Sequence, residues 1–151
     1  HGKDRVVLED VISVVADASA LALDAVVDAA FAGRAPETEA QFSKAMAAGT
    51  SAGTILSWAL RYVTQLHKAR LALDAGDHPD AAMRSFIPPV HFRREATVQA
   101  ALKTWTVPRL TRAMEQLAET AFNVRRTAAL ADSLAQRALL SLAVSARRKE
   151  R

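Results

Sequence analysis

The chain of 151 residues contains no cysteine, which excludes a disulfide framework and a thiolate metal site and makes a cytoplasmic setting the simpler expectation. It has no run of about 18 uncharged apolar residues, so no membrane span or membrane partner is expected. The opening HGKDRVV lacks the build of a signal peptide. Internal repeats, low-complexity tracts and useful strand-period segments are also missing. The four histidines, His1, His67, His78 and His91, never fall at the i, i+4 spacing of a zinc site, and no carboxylate stands at ligand spacing to them. No metal and no other cofactor is expected. Aromatic residues make up 5% of the chain. Its two tryptophans, Trp58 and Trp105, sit in helical register with Leu and Val neighbours, the setting of core packing more than of base stacking. Gly49-Thr50-Ser51-Ala52-Gly53-Thr54 opens a helix as a phosphate-cradling loop does, but it lacks the lysine and the feeding strand. Gly49 ending one helix and Thr50 or Ser51 capping the next explains the segment. No Ser, His and Asp arrangement has the loop context of nucleophilic catalysis, and nothing marks the chain as an enzyme.

What is present is helical patterning. Half of the positions are hydrophobic, enough to bury a proper core in one domain. Residues 50–75 predict one long helix, the spine of an all-α domain, with Ile55, Ala59, Tyr62, Val63, Leu66, Ala69 and Leu73 on its apolar stripe. Before it, Leu8, Val11, Ile12 and Val15 predict a short amphipathic helix that needs something to pack on. A second helix follows with Leu23, Val26, Val27, Ala30 and Phe31 inward and Asp24 and Asp28 outward, ending at Gly33. Pro36 opens a third that buries Phe42, Ala45 and Met46. After the spine, Ala82, Met83 and Phe86 mark a short helix broken by Pro88-Pro89, and Val98, Leu102 and Trp105 mark the next. Thr106 caps a helix whose stripe of Leu110, Ala113, Met114, Leu117, Ala121 and Val124 is the cleanest in the chain. The last helix, about 129–146, is apolar almost all round through Leu134, Ala138, Leu139, Leu140, Leu142 and Val144, and is expected to be central and the most buried.

Charge is unevenly distributed. Residues 1–48 carry a net −4 and residues 49–151 a net +8. Two arginine pairs at helix ends, Arg93 with Arg94 and Arg125 with Arg126, stand out as candidate contacts to nucleic-acid phosphates. The competing reading makes Arg125 and Arg126 a complement to a helix dipole and Arg93 and Arg94 a solvated first turn.

The order of motifs resembles the C-terminal half of the delta-subunit family of bacterial DNA polymerase III. The residues that carry it are Leu8-Glu9-Asp10-Val11, Asp17-Ala18-Ser19, Gly49-Thr50-Ser51 opening a long helix, Pro88-Pro89-Val90-His91-Phe92-Arg93-Arg94, and Trp105 followed by a cap and Arg109-Leu110. The resemblance implies a clamp-loader subunit of the AAA+ family. Residues 1–18 would end the AAA+-like lid domain, and residues 19–151 would form the helical collar that joins the subunits into a ring during DNA replication. It further implies other clamp-loader subunits as partners through the collar, the sliding clamp as a partner through an N-terminal domain that precedes this segment, and primer-template DNA as a possible contact. In that family the subunit is a non-catalytic part of a nucleotidyltransferase holoenzyme. The sequence departs from the family where Ala121 and Arg125 replace the usual acidic residue and lysine, and where Arg126-Thr127-Ala128 replaces the usual small-residue turn. The alternative reading is a free-standing helical ligand-binding or dimerisation module of a regulator, although no helix-turn-helix is evident.

Overall fold

A computed structural model describes residues 2–148, with side chains from residue 7 onward. The order is α1 (Gly2–Phe31), α2 (Ala35–Ala47), α3 (Ala52–Asp74), α4 (Pro79–Arg84), α5 (Glu95–Thr104), α6 (Val107–Arg126) and α7 (Ala131–Arg147). Tight 3-10 turns at Phe92–Arg94 and Ala128–Leu130 lead into α5 and α7. The described residues contain no strand, so the fold is all-α.

Helix α3 is the spine. It packs most extensively on α6 and also meets α1, α4, α5 and α7, while α1 packs on α2 and α7 and α6 on α7. Its stripe of Ile55, Ala59, Tyr62, Val63, Leu66 and Ala69 is buried, with Leu73 half-buried at its end. Ser51 starts it by accepting a 3.2 Å bond from the Thr54 amide, which satisfies one of the amide groups that a helix start leaves without an internal partner. Gly49 ends α2 with φ +94°, a left-handed conformation that suits glycine. The Thr50 amide then reaches back 3.1 Å to the Ala45 carbonyl and closes that end. Gly33 does the same for α1 at φ +78°, and there is a second reason for glycine here: a Cβ would lie 2.7 Å from Arg147 Cγ on α7.

Two expectations are corrected. The short helix over 8–15 and the helix ending at Gly33 are one continuous helix of 30 residues, and the position between residues 18 and 19 lies inside it. Nothing in SVVADASALA breaks a helix: it has neither Gly nor Pro, and alanine favours helix most of all. The C-terminal half of α1 buries Leu23, Val26, Val27, Ala30 and Phe31, whereas Val7, Leu8, Val11, Ile12, Val14 and Val15 are each more than half exposed. The second correction concerns α7, which is not enclosed on every side. Ala135, Ala138, Leu139, Leu142 and Ala143 are buried, but Leu134 and Leu140 are half-buried and Val144 is 49% exposed. Its neighbours α1, α2, α3 and α6 cover one broad side and leave the other to solvent.

Candidate functional site

The backbone just before Pro88-Pro89 is held by α3. The Gln65 side-chain amide donates to the Ile87 carbonyl at 2.9 Å and accepts from the Ile87 amide at 2.9 Å. His91 then caps the 3-10 turn, its Nδ1 accepting from the Arg93 amide at 3.2 Å. This geometry sends the two neighbouring arginines in different directions.

Arg93 points to solvent. Its guanidinium lies 5.7 Å from the centre of the exposed Phe92 ring, and that ring packs on His91 with centroids 4.5 Å apart. Arg94 turns inward, which corrects its assignment as a surface residue. It forms a two-pronged bond to Asp28 on α1, Nε to Oδ2 at 2.8 Å and Nη2 to Oδ1 at 2.7 Å, and stands 3.4 Å from Asp24. Its guanidinium also lies 5.5 Å from the Tyr62 ring of α3. A planar guanidinium held by both carboxylate oxygens and a ring face is committed structurally.

Asp24 and Asp28, expected to face outward, are the partners that draw Arg94 in. Asp24 also accepts a 2.9 Å bond from Trp58 Nε1, so half-buried Trp58 is tied to α1 as well. Partial burial raises the Asp24 carboxyl above its ordinary value, against the lowering effects of the Trp58 bond and the Arg94 charge; Asp28 adds to the rise. Burial likewise pushes the Tyr62 phenol up, helped by Asp28, so it stays protonated at every working pH. Burial alone would lower the Arg94 guanidinium, but its bonds to Asp28 and the nearby acidic charges raise it and keep it ionised.

The other pair, Arg125 and Arg126, is exposed at the C-terminal end of α6, with Arg126 stacked 5.5 Å from the exposed Phe122 ring. Among the described residues no shared hydrogen-bond or ion-pair partner links this pair to the Phe92–Arg94 turn. Trp105 is buried, and its Nε1 donates to the Phe31 carbonyl at 2.9 Å, so it serves the core. The described residues include no group of three or more His, Asp or Glu side chains able to hold a metal ion. None of the described helices is long and apolar enough to cross a membrane.

Sequence reading missed Arg109 as a structural charge. It is only 8% exposed and lies 4.8 Å from the Trp105 ring centre. Helical spacing held no signal for it, because Trp105 and Thr106 are extended and lie outside α6, and i, i+4 pairing holds only within one helix. Neither a family model nor a curated protein nor a solved structure matches the chain.

Proposed function

We propose that this chain is the collar region of a clamp-loader delta subunit, with an assembly role in the ring that opens a sliding clamp and loads it onto primed DNA. The observation that carries the reading is the exposed apolar face of the first half of α1. Val7, Leu8, Val11, Ile12, Val14 and Val15 form a patch that the other described residues leave uncovered, and patches of that kind mark interaction surfaces. The last helix of a lid domain, running on into the collar, would need such a face. The motif order agrees with this assignment, as does the all-α fold.

The role is non-catalytic. The AAA+-like domain that grips the clamp would precede this segment, and the other loader subunits would meet the collar. Of the two arginine pairs, Arg93, Arg125 and Arg126 are exposed and available for primer-template phosphates, while Arg94 organises the turn that presents Arg93. The deciding experiment is reconstitution: the folded chain should co-elute with the other loader subunits, or compete with full-length delta for them. A folded chain that neither joins nor competes overturns the reading, and a stable homodimer built through α1 would favour a dimerisation module instead.

A further inference from the structure

A concave site on the far side of α6 has a different chemistry from the arginine pairs. Trp105, Arg109, Arg112, Ala113 and Gln116 line one wall, and Ser141, Leu142, Val144, Ser145 and Arg148 line the other. Three arginines therefore line a cavity of about 260 Å³, and none of the described lining residues is acidic.

Their charges are not balanced equally. Arg109 donates from Nη1 to the Thr104 carbonyl at 3.0 Å and from Nη2 to the Ser145 carbonyl, and so bridges the C-terminal ends of α5 and α7. Each helix end carries roughly half a negative charge, so the two together offset about one cation. Arg112 has no such offset, and Arg148, which caps the C-terminal end of α7, shares that helix end with Arg109. Arg112 and Arg148 are both exposed, and neither makes an ion pair with any described residue. The cavity thus has at its rim two exposed arginines with no ion-pair partner among the described residues, the rigid edge of Arg109 in its wall, and the Ser141 hydroxyl and Gln116 amide as neutral groups able to bond an anion.

We infer that this cavity is an anion site that takes a small phosphate-bearing ligand, a phosphate monoester or a diphosphate. Guanidinium forks match the oxygens of such groups in pairs. At about 30 Å³ per water, the volume corresponds to roughly eight waters, room for a diphosphate and far too little for a duplex. Arg109 holds the wall in shape, while Arg112 on α6 and Arg148 just beyond α7 approach the ligand from opposite walls. The inference is independent of the clamp-loader assignment.

The test is titration calorimetry of the 151-residue chain with pyrophosphate and with inorganic phosphate, alongside sodium chloride at matched ionic strength. Pyrophosphate should bind saturably and raise the melting temperature, since a ligand held only by the folded state stabilises it. Inorganic phosphate should bind more weakly at the same site. The double variant Arg112→Gln, Arg148→Gln should weaken pyrophosphate binding by about tenfold or more, because charge-assisted bonds are roughly twice as strong as neutral ones. A second double variant, Lys44→Gln with Lys68→Gln, removes the same charge at exposed positions outside the cavity and should leave binding unchanged. Equal loss in both variants, or a sodium chloride effect equal to that of pyrophosphate, reduces the site to a basic surface and overturns the inference. So does binding of a single-stranded oligonucleotide without binding of pyrophosphate.

Discussion

Asp24 shows how far a single side chain departs from the reading of its helix. The expectation turned Asp24 and Asp28 outward, yet they stand at i, i+3, i+4, i+7 spacing with buried Val27 and Phe31 and so flank the apolar stripe, half-buried. Spacing within one helix carries no information about Arg94, 66 residues beyond Asp28 in the chain. The consequence is testable through pH. The folded Asp24 carboxyl binds its proton more tightly than the unfolded one, whose ordinary value is 3.8. Its contribution to stability is therefore fully present below that value and is lost as pH rises through the folded one. Asp24→Asn keeps an acceptor for Trp58 and abolishes the titration, so the variant should gain stability relative to the parent between pH 3 and pH 7. Urea unfolding midpoints at the two ends of that range decide it, and a constant difference between the proteins would refute it. At the same scale, Arg93 and Arg94 have separate fates in any DNA contact. Replacing Arg93 should lower the log-log salt slope of primer-template binding by the reconstituted loader by about 0.9, one phosphate contact. Replacing Arg94 should chiefly destabilise the fold, because it strands Asp28.

Elements were most legible where a stripe had neighbours along its whole length. The apolar positions of α3 and α6 could be read from spacing because each helix packs along the other, and Ile55, Leu66, Leu110 and Leu117 are fully buried. Helix ends were legible where backbone chemistry sets them, at Gly33, Gly49 and Ser51. Burial around α7 was not, because Leu139 and Val144 are alike in sequence and differ only in what stands opposite. Leu139 has no exposed surface. Leu139→Ala should lower stability by about 2–5 kcal/mol through the cavity it leaves. A Val144→Ala change, at a half-exposed position, should shift the unfolding midpoint little. Equal effects of the two, followed by chemical unfolding, would contradict the one-sided packing of α7.

At the scale of the whole molecule, the chain divides into a packed body and a projecting half of α1. Replacing Val11 and Ile12 by serine should leave the body's melting temperature nearly unchanged, because both side chains are already more than half exposed. The same change should abolish joining to loader subunits if the patch is the contact it is proposed to be. A variant that still co-elutes with them would separate the patch from assembly. The continuity of α1 has a mechanical consequence. Thirty residues of helix span about 45 Å at ~1.5 Å per residue, and the inner end is anchored by Leu23 to Phe31 in the core and by the Arg94 grip on Asp28. Such a rod has no hinge between its anchored and free ends, so it acts as a lever. Whatever seats on Val11 and Ile12 has its orientation transmitted to the body, and a rotation of one must turn the other unless the helix itself bends.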